Sequence, residues 1–181
     1  MPAVNSRWFA AILRRFTGCV ALAALVTISC ARVHAAPSAS SLLNKPAPTF
    51  ALTDLNRQPL RLSSLRGKVV LLNFWAAWCA PCQVEMPTFT NWQRQYRSQG
   101  LQIIGISMDD DSALARRVVA RLKLNYPVAA GDERLGTRYG GVLGLPLTFL
   151  IDRSGIVRAR FQGESDLHSI ESQLKLLLSQ R

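Results

Sequence analysis

No acidic residue precedes Asp54 in this 181-residue chain, although the whole chain carries 22 Lys and Arg against 11 Asp and Glu, a formal net charge of +11. Four of the arginines fall within residues 1–35. In the remainder the charges are scattered, with no block of five or six of one sign. Dispersed charge of this kind is typical of a solvated surface, so the sequence argues against nucleic-acid binding.

Cysteine and histidine are also scarce, with four and two residues. Cys19 and Cys30 lie in the N-terminal segment, which leaves Cys79 and Cys82 as the thiols of the rest of the chain. Two cysteines cannot build a disulfide framework, and a structural zinc site needs four ligands. We therefore expect no metal and no other cofactor, and an isolated C-x-x-C predicts redox chemistry.

The overall composition excludes a disordered or fibrous chain, since hydrophobic residues make up 49% and Gly plus Pro number 20 of 181. No internal repeat is present, and the length suits one domain with a real core. We assign residues 47–181 to that domain and residues 36–46, rich in Ala, Pro and Ser, to a flexible leader.

Residues 1–35 have the pattern of an export signal. Arginines precede an uncharged apolar run over residues 16–29, and a cleavage site fits at Ala35/Ala36. The apolar run is shorter than the ~20 residues that span a bilayer, so an uncleaved membrane anchor is a second alternative. A third is lipidation of Cys30, because residues 26–30 resemble a bacterial lipobox. Each alternative places the domain outside the cytoplasmic membrane.

Strands and helices alternate along the rest of the chain. Residues 68–75 form a near-continuous apolar run that predicts a buried central strand, and a helix follows over residues 80–98 with a kink at Pro87. Residues 109–112, three aspartates and a serine, predict the cap of the next helix, which runs to about residue 124. The other predicted elements are strands 101–107, 147–151 and 156–161, a helix over 166–178, and a hairpin of residues 49–52 and 60–62.

The segment Trp78-Cys79-Ala80-Pro81-Cys82 carries the chemistry, because it follows a buried strand and opens a helix. A helix N-terminus stabilises an anion, so Cys79 is the predicted exposed nucleophile. Cys82, one turn inside, is placed to attack the mixed disulfide and resolve it. Pro81 lacks the N–H that a helix start leaves unpaired.

At this point the chain resembles the thioredoxin superfamily, and within it the TlpA/ResA/CcmG-like exported thiol–disulfide oxidoreductases. The resemblance covers about residues 44–180. It implies a thioredoxin-like α/β fold, a central mixed sheet flanked by helices, with an N-terminal β-hairpin and an inserted strand–helix unit. The segments that carry it are residues 45–50, 62–68, 73–82, 85–87 and 144–152.

The resemblance also implies roles for individual residues. Cys79 and Cys82 would form a redox disulfide. Pro146 would be the cis-proline that faces the cysteines, and the backbone of Leu145 would pair with a substrate segment as an added strand. Trp78, Ala80 and Pro81 would contact substrate. Trp75 and Trp78 either shield the site or belong to the core.

Two positions distinguish the chain from cytoplasmic thioredoxin. Asn73 stands where that family has a buried Asp, and Asn cannot take a proton. Glu85 lies three residues after Cys82 on the same helical face, where the exported reductases carry Glu. A carboxyl group beside a buried thiol would raise both pKa values and could transfer the proton of Cys82.

The sequence therefore predicts a periplasmic or membrane-attached reductase of protein disulfides. The resemblance suggests apocytochrome c or copper-site proteins as substrates and a membrane electron donor of the disulfide-relay type. The alternatives are a disulfide oxidase or isomerase of the same fold, and a non-redox module for metal delivery or binding.

Overall fold

A five-stranded mixed sheet forms the centre of the computed structural model, which describes residues 42–180. Ahead of it in the chain, two short strands pair as an antiparallel hairpin. The hairpin strands are β1 (Ala51–Thr53) and β2 (Pro59–Arg61), and the sheet strands are β3 (Val69–Trp75), β4 (Leu101–Ser107), β5 (Val128–Ala130), β6 (Leu147–Ile151) and β7 (Val157–Gln162).

The strand order in the sheet is β5-β4-β3-β6-β7. Strands β3, β4 and β5 are parallel, while β6 is antiparallel to β3 and β7 is antiparallel to β6. All seven residues of β3 are buried, as its continuous apolar run predicts for a strand covered on both faces. This arrangement confirms the predicted thioredoxin-like fold with an N-terminal hairpin.

The helices are α1 (Ala80–Tyr96), α2 (Ser112–Leu122), α3 (Glu133–Arg138) and α4 (Leu167–Ser179). Helix α1 contains Pro87 and buries Phe89, Trp92 and Tyr96 on one face. Strand β5 and helix α3 supply the additional strand–helix unit. They are three and six residues long, too short for hydrophobic periodicity to reveal them.

Alternate side chains of β3 point into two separate halves of the core. Leu71 and Trp75 belong to the half that contains Phe89 of α1 and Ile170 of α4. Leu72 and Phe74 belong to the other half, which packs against the hairpin and Tyr139. Both faces of the sheet are therefore covered, which holds the ends of β3 and β4 in fixed positions.

The last five residues of the predicted flexible leader, 42–46, are part of the folded domain. Leu42 is buried in the core, the N–H of Asn44 donates to the carbonyl of Val157 at 2.8 Å, and Pro46 forms a β-bridge with Ile156. Composition misassigned these residues because their partners lie on β7 and in the turn before it, more than a hundred residues away.

The predicted signal segment, residues 1–35, lies outside the described residues, as do its cleavage and lipidation sites. Within residues 42–180, no helix is both long and apolar enough to cross a membrane.

Candidate active site

Three chain segments meet at one edge of the sheet. Strands β3 and β4 are parallel with Trp75 beside Ser107, so their carboxyl ends lie together. Strand β6 runs the opposite way with Leu147 beside Phe74, so its beginning reaches the same edge. The cysteines after β3, the aspartates after β4 and the proline before β6 are therefore brought together.

Cys79 and Cys82 form a disulfide at this edge, with 5.3 Å between their Cα atoms. Cys79 is the N-cap of α1, and its sulfur accepts the N–H of Cys82 at 3.3 Å. The prediction that Cys79 is exposed is wrong for this state, since Cys79 is 4% and Cys82 1% exposed. The bond to Cys82 and the contact with its N–H turn the sulfur of Cys79 back onto the helix.

The exposed surface around the disulfide comes from its neighbours in the sequence. Trp78 is 72% exposed, and Ala80 and Pro81 are exposed beside it. Trp75, in contrast, is fully buried in the core. The two tryptophans therefore differ: Trp75 is a core residue, and Trp78 offers a large aromatic surface to a partner.

The segment before β6 borders the same site. The Leu145–Pro146 peptide bond is cis. Pro146 is buried and Leu145 is half-buried, and the carbonyl of Pro146 accepts the N–H of Gly163 at 2.8 Å. That hydrogen bond ties the segment to the end of β7.

Glu85 lies on the buried face of α1, one turn after Cys82, and is 6% exposed. Its Oε1 atom has no hydrogen-bond partner among the described residues. Burial raises the pKa of this carboxyl from 4.5 to about 8, because the charged form loses its hydration. Glu85 is therefore a buried, largely protonated acid at neutral pH rather than a solvated helix residue.

A cavity of about 120 Å³ adjoins Glu85. It lies between the first turns of α1 and the segment that leads into α4. Its lining residues are Pro81, Val84, Glu85, Glu164, Ser165 and Leu167. The cavity therefore places Glu85 beside open space on the side of the helix that bears Pro81.

Tyr126 is a buried residue near Glu85 for which the sequence predicts no role. Its hydroxyl is buried without a hydrogen-bond partner among residues 42–180. Burial raises the pKa of Tyr126, and the charge of Glu85 raises it further, so the two groups lie within electrostatic reach. Tyr126 belongs to a loop with no periodic pattern, and no signal in the sequence identifies it.

The run of aspartates divides into two roles. Asp111 caps α2 as predicted, accepting the N–H of Ala113 at 2.8 Å. Asp109 was predicted to belong to the same cap and does not, because its carboxylate is buried and binds the N–H of Ala77, two residues before Cys79. Its position two residues after the end of the buried strand β4 was the available signal.

A groove of about 740 Å³ opens beside the aspartates. It is bordered by the ends of β4 and β5, by α3 and by residues 141–143. Asp109, Asp110, Asp132 and Glu133 contribute acidic groups to its walls. Asp109 therefore links this groove to the turn that carries Cys79.

No group of three or more metal-ligating side chains is found among residues 42–180.

The sequence and fold are similar to those of known thiol–disulfide oxidoreductases. Residues 43–160 match the model of the AhpC/TSA family. Thiol-disulfide oxidoreductase ResA of Bacillus thuringiensis subsp. konkukian is 37% identical over 135 residues, covering 74% of this chain and 77% of that protein. ResA of Bacillus subtilis is 34% identical over 132 residues, covering 71% and 74%.

A solved structure from Chlorobium tepidum, described as a thiol:disulfide interchange protein DsbE, has the same fold. It aligns with a TM-score of 0.71 and 31% identity, covering 76% of this chain and 98% of that chain.

Proposed function

Because the chain belongs to the AhpC/TSA family and is a thiol–disulfide oxidoreductase of the ResA type, we propose that it reduces disulfides in proteins outside the cytoplasmic membrane. The observation that carries this proposal is the Cys79–Cys82 disulfide at the N-terminus of α1. A helix N-terminus stabilises a thiolate, and the three-residue separation of the cysteines lets the sulfur of Cys82 attack the mixed disulfide on Cys79 and release the substrate.

The reaction begins with the reduced protein. The thiolate of Cys79 attacks one sulfur of a substrate disulfide, forms a mixed disulfide, and releases the other substrate sulfur as a thiolate. The thiolate of Cys82 then attacks the sulfur of Cys79, closes the internal disulfide and releases the second substrate thiolate. Two electrons pass to the substrate, whose two thiolates take up protons. A membrane dithiol donor must return two electrons and two protons.

Cys79 is the attacking residue in this scheme because it is the N-cap, with the exposed residues Trp78 and Ala80 on either side. Both cysteines are buried in the disulfide state, 4% and 1% exposed, so it is the position of Cys82 inside the first turn of the helix that makes it the less accessible thiol. Cys82 is therefore the resolving residue.

Glu85 is proposed to exchange a proton with Cys82: the ionised fraction of its carboxyl takes the proton of the Cys82 thiol before the resolving attack. It follows Cys82 by three residues, which places the two side chains on one helical face. A carboxyl with a pKa of about 8 is a much stronger base than an exposed one. The cavity that adjoins Glu85 lets the proton exchange with solvent.

The Glu85 proposal is tested by Glu85→Gln in the reduced protein. Removing the coupled carboxyl should lower the apparent thiol pKa and flatten the pH dependence of substrate reduction. Thiolate absorbance against pH reports the first effect. Superimposable curves for the wild type and the variant would show that Glu85 has no part in the chemistry.

The substrate surface is proposed to consist of Trp78, Ala80, Pro81 and the backbone of Leu145. The first three are exposed around the disulfide and the fourth borders them from the segment before β6. Extended substrate backbone at Leu145 would add hydrogen bonds that any sequence can make, while Trp78 supplies apolar contact area.

The family resemblance suggests apocytochrome c, or copper-site proteins of cytochrome oxidase, as substrates. Reduction in an oxidising compartment requires a continuous supply of electrons, and a membrane donor is proposed to provide them.

Residues 1–35 are proposed to export the domain, with cleavage at Ala35/Ala36, lipidation at Cys30 or retention as an anchor as the alternatives. The location is then the periplasm or the outer face of the cytoplasmic membrane.

The decisive experiment traps the mixed disulfide. Cys82→Ser removes the resolving thiol, so substrates should accumulate on Cys79 as adducts that a reductant releases. Cys79→Ser is the matched control and should trap far less. Equal trapping by both variants would reverse the assigned roles. Absence of adducts from either would favour a non-redox binding or metal-delivery module.

A further inference from the structure

Ala77 is held by side chains on both sides of its backbone. Its N–H donates to both carboxylate oxygens of Asp109, each at 2.9 Å. Its carbonyl accepts from Nε2 of Gln83 at 2.6 Å. Ala77 lies in the turn between β3 and α1, which is closed by the N–H of Cys79 donating to the carbonyl of Ala76 at 3.1 Å. The side chains of Asp109 and Gln83 therefore hold the turn before Cys79 from two sides, and we call this arrangement the clamp on Ala77.

Asp109 is a firm anchor for one side of this clamp. It is 7% exposed, and the hydroxyl of Ser107 donates to its Oδ2 atom at 2.8 Å. Among residues 42–180 the ion pairs join Arg158 to Asp152 and Lys175 to Glu171, so no described cation pairs with Asp109. The carboxylate is satisfied by N–H and O–H groups alone, and its negative charge is not neutralised.

Gln83 anchors the other side. Its backbone N–H donates to the carbonyl of Cys79 at 3.3 Å, and its side-chain carbonyl accepts from Arg121 of α2. One residue thus connects the first turn of α1, the turn before it and the neighbouring helix. The side chains of Asp109 and Gln83 both hydrogen-bond to Ala77, so these side chains act on the cysteines through the turn that contains Ala77.

We propose that Asp109 and Gln83 are positioning residues that hold Cys79 at the helix start when the disulfide is open. Reduction removes the covalent link between the cysteines, and the hydrogen bonds to Ala77 then keep the two thiols at closing distance. Two thiols that are kept close together form a disulfide more favourably than two thiols that move independently. The inference rests on the proposed function in taking Cys79 as the attacking thiol.

The unpaired charge of Asp109 has an electrostatic effect that also favours the disulfide over the reduced form. A buried carboxylate near the turn disfavours the Cys79 thiolate and so opposes the helix N-terminus. The other charged groups around the site are Arg121, which binds Gln83, and Glu85 with Glu164 across its cavity. Asp110, Asp132 and Glu133 line the groove beside Asp109. Removing the charge of Asp109 should stabilise the reduced form.

Three variants distinguish the effect of the hydrogen bonds to Ala77 from the effect of the charge of Asp109. Asp109→Asn keeps an acceptor for Ala77 and loses the charge, and Asp109→Ala loses both. Gln83→Met loses the side-chain hydrogen bonds to Ala77 and Arg121 without changing the charge of residue 83. Asp110→Asn is the matched control, because it removes an identical charge from the adjacent, exposed residue.

The measurement is the equilibrium between the full domain and a glutathione buffer, with the Cys79 thiol pKa read from the pH dependence of alkylation. We expect Asp109→Ala to lower the equilibrium constant for disulfide formation about tenfold. For a two-electron couple this raises the reduction potential by about 30 mV. Asp109→Asn and Gln83→Met should each lower this constant by a smaller factor. The thiol pKa should fall in both Asp109 variants and stay constant in Gln83→Met and Asp110→Asn.

A purely structural role would lower the melting temperature and leave both readouts unchanged. If Asp109→Ala does not fold, Asp109→Asn and Gln83→Met still decide the matter. The proposal is overturned if these two variants match Asp110→Asn in the glutathione equilibrium. Because the test needs no protein substrate, a wild-type domain that reduces no protein disulfide would contradict the proposed function and leave this inference standing.

Discussion

Asn73 and Thr148 are joined by a buried hydrogen bond: the side-chain amide of Asn73 donates to the hydroxyl oxygen of Thr148 at 2.9 Å. The two residues face each other in the register of β3 and β6, and each is 2% exposed. Asn73 stands at the position of the buried Asp of cytoplasmic thioredoxin. Here it serves as a neutral link between the strand that leads to the cysteines and the strand that follows Pro146.

This bond predicts a specific pattern of stability. Thr148→Val leaves the Asn73 amide buried without its acceptor and should cost about 2 kcal/mol in the free energy of unfolding. The double variant Asn73→Leu/Thr148→Val should cost less than the sum of the single variants. Urea unfolding measures all three. Thr90→Val is the control, because the Thr90 hydroxyl is buried without a partner among the described residues and its removal should be nearly neutral. Additive costs would contradict the coupling.

Glu85 predicts a pH dependence of stability. Its folded pKa, about 8, is above the ordinary 4.5, so the folded protein binds the proton more tightly than the unfolded chain. The contribution of Glu85 to stability is therefore fullest below pH 4.5, falls as pH rises between 4.5 and 8 by up to about 1.4 kcal/mol per pH unit, and levels off above. Glu85→Gln should remove this decline. The comparison uses urea unfolding of the oxidised proteins, in which the cysteines do not titrate, and parallel pH profiles would disprove it.

The reduction potential should lie near that of thioredoxin. The two residues between the cysteines, Ala80 and Pro81, include no His to stabilise a thiolate unusually. We expect a value nearer about −270 mV than the roughly −120 mV of the strong periplasmic oxidant. Equilibration with glutathione gives the value. A potential above about −160 mV would favour the oxidase or isomerase alternative over the reductase.

Arg153 predicts a stability effect far from the site. Its guanidinium donates to the carbonyls of Gly67, Gln99, Leu178 and Gln180 at 2.8 to 3.2 Å. Arg153→Met should destabilise the domain by about 2 kcal/mol, since several carbonyls lose a charged donor at once. The glutathione equilibrium should be unchanged. Arg158→Met is the control, because its exposed ion pair with Asp152 should contribute under about 1 kcal/mol. Equal losses in both variants would contradict the prediction.

Most of the fold could be predicted because the hydrophobic pattern of each long helix or strand is typical of one type of secondary structure. Seven buried residues in β3 require cover on both faces, and the buried face of α1 repeats at helical spacing. An inserted strand–helix unit was predicted, but its position at β5 and α3 was not, because three and six residues are too few for a period. Residues 42–46 were misassigned because local composition contains nothing about a partner strand more than a hundred residues away.

The amino-acid sequence by itself identified the residues proposed to carry the chemistry: two cysteines at a predicted helix start from their spacing, and a carboxyl one turn later and a proline before β6 from the family resemblance. Only the tertiary structure decided the environment of those groups. It buried Glu85, which raises its pKa to about 8, and it divided neighbouring aspartates between a helix cap and the clamp on Ala77. Burial and hydrogen bonding depend on which distant segments pack together, and residue spacing along one chain does not contain that information.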